Sequence, residues 1–573
     1  MANDIPAPDG KVARRVLHFF WLTDYSASMG GKKIATLNQA IRESLPLIQK
    51  AVAAHPQVQV MMRAIKFSDE AAWHVGPAPV SIEQFFWPEL QADGLTATAK
   101  AVRLLISELS IEKMPRRGLP PVCILVSDGY CTDPEGEYDK AMADLNHTPW
   151  GMKAIRLAIA IGDESDYNEP ELLKFSNQEK IGILKAHTPE ELLNFIRWAS
   201  TEATLGSSRS KSRELTSETS NVVLSPPPPT ITSSTEPFEE RSMEETRETV
   251  PVSIPPAGWA CGCTRRGTSH MRDGKPCQDA HAIWSSSFMG EPVLVVAVAD
   301  GHGGGKHDLS HCGAALAVQA AVSEVIASLP VPGREGAWRP VSGSRDEELQ
   351  NRVTTRWKGY VTADAGQRPG LSPGGGDGQD LTSRYGTTLL IALIDGSECW
   401  LGQIGDGDIL LVRPDESIEA PIPKDETLLG TVTYSLSSRD SPGLWRTARF
   451  PLGKGGLLLM ATDGLPDSFE NPEAEFQVFA RSLSERVTGF GIDRVGSALP
   501  GWLDGYSRNG SGDDMTLVLV SLNPSQGAEG TGPQVSGAGP AAGGTGSEPG
   551  AGTGSGPGGG TGSGPGGEKT DAS

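Results

Sequence analysis

The apolar run Val293–Ala299 ends in Asp300-Gly301-His302-Gly303-Gly304. A carboxylate leaving a buried strand is costly unless it meets a cation or a hydrogen-bond donor. Other acid-bearing segments repeat the arrangement beside apolar runs. They are Cys-Gln-Asp-Ala with Asp279, Ile-Gly-Asp-Gly-Asp with Asp406, Met-Ala-Thr-Asp-Gly-Leu-Pro-Asp with Asp463 and Asp467, and Ser-Gly-Asp-Asp-Met-Thr with Asp513. Clustered carboxylates repel one another without cations, and a set of oxygen donors suits hard ions such as Mg2+ and Mn2+. Together these segments read as a hard-metal site, although Gly405-Asp406-Gly407-Asp408 is also turn chemistry in its own right.

A second, smaller set lies near the N-terminus. Thr-Asp-Tyr-Ser-Ala-Ser-Met, after the first apolar strand, supplies Asp24, Ser26 and Ser28. Gly-Leu-Thr-Ala-Thr supplies Thr96 ahead of a helix, and Val-Ser-Asp-Gly puts Asp128 at the end of another strand. One carboxylate and two hydroxyls on a strand-to-helix loop suit Mg2+, which keeps several waters and takes few protein carboxylates. The same residues also serve as helix caps.

In order and spacing, the segments from Trp259 to Leu522 resemble the metal-dependent serine/threonine protein phosphatases of type 2C, the PPM family. The resemblance implies an αββα sandwich in which Asp300 bridges two Mn2+ or Mg2+ ions. The Gly301 carbonyl, Asp279, Asp463 and Asp513 complete the shells, and Asp406 and Asp467 hold a weaker third ion. It makes His302 the candidate general acid for the leaving seryl or threonyl oxygen. Asp514 stands where Asn is usual and is able to exchange roles with Asp513. Family members commonly carry an Arg five residues before the first metal Asp, but here that position is Gly274. His270, Arg272 and Lys275 are left to grip the phosphoryl group, Arg272 foremost because a planar guanidinium binds two oxygens at once.

The N-terminal set resembles a von Willebrand factor A (vWA) domain with its metal-ion-dependent adhesion site. Ser-Asp-Gly-Tyr-Cys-Thr-Asp-Pro is similar to bacterial vWA proteins associated with tellurite resistance. The segment departs from that pattern at Ala27 and at Gly-Leu-Thr, where Gly is common, without losing an oxygen ligand. The resemblance implies Mg2+ at Asp24, Ser26, Ser28, Thr96 and Asp128, with a partner's acidic residue completing the shell, and so binding rather than catalysis. Together the two resemblances imply a phosphatase acting on a phosphorylated protein, recruited with a cognate serine/threonine kinase in a stress-signalling system. Two rivals remain: a pseudophosphatase that binds phosphoprotein without efficient turnover, and a scaffold in which the vWA domain is the working part.

The elements that must position these residues follow from the hydrophobic patterning. Strand-like runs alternate with helical periodicity over residues 16–200, which predicts a doubly wound parallel α/β domain with ligands at the carboxyl ends of its strands. Residues 201–256, rich in Ser, Thr, Glu and Pro, read as a disordered linker. Residues 257–522 carry more short strands and form the phosphatase-like domain, and the Gly/Ser/Pro-rich residues 523–573 read as a disordered tail. The net charge of −21 argues against nucleic acid or an anionic membrane as partner. The seven scattered cysteines form no disulfide framework, and the Cys261-Gly-Cys263 spacing is too short for a zinc knuckle. The polar N-terminus lacks signal-peptide architecture, so the expected location is the cytoplasm.

Overall fold

A computed structural model describes residues 5–199, 213–214 and 259–522, apart from breaks at 54–55, 115–117, 163–164, 189, 197, 289–290, 305, 329–345, 369–380, 396–397, 426–431 and 453–454. The expected linker, but for Arg213–Glu214, and the expected tail lie outside the described residues.

The N-terminal region builds a six-stranded sheet in the order β3-β2-β1-β4-β5-β6. Its strands are β1 (Arg15–Asp24), β2 (Val58–Phe67), β3 (Ala71–Ser81), β4 (Val122–Ser127), β5 (Ile155–Ile161) and β6 (Leu184–Ala186). Every pairing is parallel except β2 with the edge strand β3. β1 is apolar on both faces because both are covered. Leu17, Phe19 and Trp21 pack in one core with Leu37 and Ile41 of α1 (Lys32–Ala53). Phe20 and Leu22 pack in the other with Val102 and Leu105 of α2 (Thr98–Glu108) and Met142 and Leu145 of α3 (Glu137–His147). The carboxyl ends of β1 and β4 bring Asp24 and Ser127-Asp128 to one edge. The amino ends put Arg15, Gln57 and Lys153 at the opposite edge.

The C-terminal region stacks two antiparallel sheets. One runs β16-β12-β11-β10-β9 and the other β14-β13-β17-β18-β8. The strands are β8 (Ala260–Arg265), β9 (Asp279–Phe288), β10 (Glu291–Asp300), β11 (Leu389–Asp395), β12 (Glu398–Ile404), β13 (Asp408–Val412), β14 (Ile418–Glu419), β16 (Arg446–Pro451), β17 (Leu457–Ala461) and β18 (Met515–Ser521). A separate two-stranded pairing joins β7 (Arg213–Glu214) to β15 (Val432–Thr433). Alternation in β10 sends Leu294, Val296 and Val298 between the sheets and Val293, Val295 and Ala297 toward the helices. The first sheet is covered by α4 (Ser310–Ser328) and α5 (Asp346–Gln367), and the second by α6 (Pro472–Phe490) and α7 (Ile492–Asn509). The result is the four-layer αββα sandwich. Helix α4 is long and apolar enough to cross a membrane, but Ala314, Ala317, Ala321 and Val325 are buried in the core between sheet and α5.

The two regions touch directly, and all described residues fall within one compact unit. This differs from two bodies joined only through a tether. The reason lies ahead of β1, where residues 5–13 lace onto the C-terminal sandwich.

Candidate functional site

Asp279 opens β9 and Asp300 closes β10, and the antiparallel register sets them directly opposite. Directly opposed residues share a face, with Cβ atoms about 5 Å apart. Both carboxylates are buried. Asp279 is tied across to the other sheet: Thr462 Oγ1 donates to its Oδ2 at 2.8 Å, and Thr516 Oγ1 does so at 3.0 Å. Asp300 is held by its backbone, whose N–H donates to Thr388 Oγ1 at 3.1 Å and whose carbonyl accepts from Thr387 Oγ1 at 2.8 Å. These threonines escaped the sequence reading, since nothing in an isolated Thr marks it as an anchor.

Gly301 N donates to the Gln278 carbonyl at 2.9 Å. A Cβ at Gly301 would lie 2.7 Å from the Ser310 carbonyl oxygen, so the chain needs glycine for this close approach. At the same end of the sandwich, Asp463 follows β17 and Asp513 precedes β18. Thr462 N donates to the Thr516 carbonyl at 3.1 Å, and a Cβ at Gly464 would lie 3.2 Å from Asp513 Cβ. Asp279, Asp300, Asp463 and Asp513 thus come from four segments to one end of the two sheets. An all-oxygen set with mutually repelling charges fits Mn2+ or Mg2+.

Asp514 is engaged by the protein. Its Oδ1 accepts from Gly267 N at 2.6 Å, and its Oδ2 accepts from Gln278 N at 2.7 Å and lies 2.9 Å from His270 Nδ1. These bonds fasten the loop before Asp279 to the loop before β18, which makes Asp514 a strut and leaves the ligand position to Asp513. His270, Asp513 and Asp514 form a buried trio with potential ligand atoms within 4.8 Å of one another.

Residues 270–275, where the phosphate grip is expected, form a turn beside Asp514 and Gln57. His270 is buried against Asp514 and the Pro276 carbonyl. Arg272 donates to the neighbouring Asp273 at 3.1 Å and to Gln57 Oε1 of the N-terminal region at 3.3 Å. Lys275 is placed in the same turn, its N–H bonded to the His270 carbonyl at 2.9 Å. Gly274 has φ of 65°, a left-handed turn that an Arg would occupy only with strain. The turn itself accounts for the missing Arg.

His302, the expected general acid, lies in the loop that follows β10. The ring is fully enclosed, edge-on to His307 with centroids 5.3 Å apart. Burial first, then the charge of His307, holds it well below the ordinary histidine pKa.

Asp406 accepts from Thr433 Oγ1 at 2.8 Å. Asp467 lies one helical turn beyond Asp463, its N–H donating to the Asp463 carbonyl at 2.9 Å, and is paired with Arg15. Beside Asp279 opens a groove of about 1530 Å³, lined by Met271, Trp284, Val318, Arg265, Arg266 and Arg508 among others.

At the carboxyl edge of the N-terminal sheet, Asp24 Oδ2 accepts from Ser127 Oγ at 2.6 Å and Oδ1 from Ser26 N at 2.8 Å. Ser26 and Ser28 hydroxyls lie 3.0 Å apart. The loop carrying Thr96 is joined to this one by Ala27 N donating to the Gly94 carbonyl at 2.9 Å. Burial foremost, with the Asp128 charge adding, pushes Asp24 up to about 6 against the hydrogen bonds from Ser127 and Ser26. Lys33 Nζ donates to Asp128 Oδ2 and to the Asp166 carbonyl, each at 3.0 Å. Lys33 therefore supplies a positive charge where the sequence reading expects a cation. It reads in sequence only as a polar helix start.

The family model described as protein phosphatase 2C matches residues 266–504, which does not extend to the N-terminal sheet. No curated protein matches the chain. Among solved structures, the chain is similar to the catalytic domain of the serine/threonine protein phosphatase PstP in complex with two manganese ions, at 19% identity over 46% of this chain and 96% of that one, with a TM-score of 0.30. It is also similar to the Mycobacterium tuberculosis phosphatase PstP/Ppp, at 16% identity over 46% and 97% of the respective chains and a TM-score of 0.30. A bacterial serine phosphatase gives 16% identity over 46% and 98%, with a TM-score of 0.31.

Proposed function

Residues 266–504 are a protein phosphatase 2C domain, and on that premise we propose that the chain hydrolyses phosphoserine and phosphothreonine in proteins at the acidic end of the sandwich. The observation that carries the reading is the opposition of Asp279 and Asp300 at the ends of paired strands. Asp279, Asp300, Asp463, Asp513 and the Gly301 carbonyl are the groups that would hold two Mn2+ or Mg2+ ions. Bound there, such ions acidify water and bind phosphoryl oxygens. The protein's own part is positional: Thr462 and Thr516 fix the Asp279 carboxylate, Thr387 and Thr388 fix the backbone of Asp300, and Asp514 ties their loops together. The groove beside Asp279, with its aromatic and arginine lining, offers room for the polypeptide around a phosphorylated residue.

The test is hydrolysis of a phosphothreonine peptide with Mn2+ and with chelator. The reading requires metal-dependent turnover. The rival, a phosphoprotein binder with poor turnover, is favoured by the left-handed Gly274 where an anchoring Arg is common. Metal binding without hydrolysis would decide for it.

For the N-terminal sheet we infer a vWA-type binding site at Asp24, Ser26, Ser28, Thr96 and Asp128. Its supports are the shared carboxyl edge and the depressed acidity of the buried Asp24. Its assignment is recruitment of a partner protein, with a cognate kinase in a tellurite-type stress response as the specific candidate. A cytoplasmic location is part of the same proposal.

A further inference from the structure

The residues preceding β1 belong physically to the C-terminal sandwich. Val12 forms a bridge with Phe469, Ala13 N donates to the Ser468 carbonyl at 3.0 Å, and Glu470 N to the Lys11 carbonyl at 2.8 Å. Tyr506 Oη donates to the Pro8 carbonyl at 2.8 Å. The Arg486 guanidinium donates to the carbonyls of Pro6 and Ala7, each at 2.8 Å. This strap delivers Arg15, the first residue of β1, to Asp467, with Nη2 to Oδ2 at 3.4 Å and side-chain exposures of 10% and 6%.

The neighbouring amino-end positions of the same sheet repeat the contact. Gln57, whose carbonyl accepts from Arg15 N at 3.0 Å, is buried. It packs so closely on Gly512 that a Cβ there would lie 3.1 Å from its own Cβ. It also accepts from Arg272. Lys153, just before β5, is buried, and burial lowers its affinity for the proton against the opposing pull of the Asp406 charge. One edge of the N-terminal sheet thus presents Arg15 to Asp467, one helical turn beyond Asp463, and Lys153 toward the charge of Asp406.

We propose that this edge is a cationic cap, in which Arg15 and Lys153 supply the positive charge at Asp467 and Asp406 that a further divalent cation would otherwise supply, so that docking of the edge and cation binding there exclude each other. The inference rests on the phosphatase reading for the identity of the cation. A buried carboxylate keeps its charge only beside a compensating one. Removing Arg15 therefore leaves Asp467 with a stronger demand for metal. Conversely, metal at Asp467 removes the strap's charged anchor and loosens the edge. The vWA-type site lies at the far end of β1, about 30 Å away at the usual rise per strand residue, so a partner held there does not compete with the cap.

The experiment uses the full-length chain, with Mn2+ stoichiometry and affinity measured by calorimetry and amide hydrogen exchange followed over residues 5–15. In the parent, Mn2+ beyond the tight sites should speed exchange in the strap. Arg15→Ala and Lys153→Ala should each tighten the weakest Mn2+ site, the pair together by about tenfold or more, a shift of 1.4 kcal/mol per decade. Arg15→Lys, which keeps the charge and guards against a mere folding defect, should stay near the parent. Unchanged weak-site affinity in the double variant, or strap exchange indifferent to Mn2+, overturns the cap. A chain that shows the exchange response but hydrolyses no phosphopeptide keeps the cap and strikes the phosphatase reading.

Discussion

Asp279 and Asp300 stand opposite each other in register across β9 and β10, and Asp279 is tied to the second sheet by two hydroxyls, from Thr462 and Thr516. The carboxylate of one sheet is thereby aimed by the other, so the placing of the two acids depends on how the two sheets pack.

That arrangement makes Thr462→Val with Thr516→Val an informative pair. Outer-shell partners of metal ligands typically matter by 10–100-fold in affinity or activity. The double variant is expected to fold and to need roughly tenfold more Mn2+ for half-maximal hydrolysis. Metal titration of phosphopeptide turnover checks this, and an unchanged Mn2+ requirement speaks against the anchoring role.

The buried Asp24 gives a pH dependence with a definite sign. Its folded pKa of about 6 lies above its ordinary value, so the folded state holds the extra proton between pH 4 and 6. Stability without metal therefore falls as pH rises through that window and stays lower above it, by on the order of 3 kcal/mol. In chelator, Asp24→Asn is expected to melt higher than the parent at pH 7.5, with the difference closing below pH 4. Added Mg2+ should raise the melting temperature of the parent and not of the variant.

Gly274 makes a cheaper test of backbone over side chain. With φ of 65°, Gly274→Arg is expected to cost about 1 kcal/mol by denaturant unfolding. It should leave the Michaelis constant for phosphopeptide no lower than in the parent. A lower constant would mean that the turn rearranges to present the new guanidinium.

Because Asp128 lies at the sheet edge opposite the one that meets the phosphatase domain, Asp128→Ala is expected to leave hydrolysis of an aryl phosphate within about twofold while weakening capture of a protein partner. Loss of small-substrate turnover in the folded variant would make the N-terminal site an obligatory element of catalysis.

The sheets were readable because apolar runs such as Val293–Ala299 and Val122–Val126 have strand length and end in acids, a pattern that the topology turns into clusters at strand ends. The parallel order of the N-terminal strands followed from their alternation with helices. Less visible were features set by a single dihedral or by distant packing. Gly274 looks like any loop glycine until its φ is seen, and His270 and Arg272 look like solvated cations until Asp514 and Gln57 are placed beside them. His302 carries the right chemistry for an acid, and its enclosure shows only once the loop is folded. Arg15 and Asp467 meet through a strap of polar, proline-bearing residues with no periodicity to announce that it packs.

The central claim is that opposed acids at the sheet ends run metal-dependent phosphoester hydrolysis, and Asp300→Asn tests it most directly. The substitution preserves shape and removes the charge on which both proposed ions depend. With Mn2+ and a phosphothreonine peptide, the parent should turn over and lose activity in chelator, while Asp300→Asn should fall by about a thousandfold or more with its melting temperature close to the parent's in chelator. Turnover in Asp300→Asn within a few-fold of an active, metal-dependent parent would contradict the account.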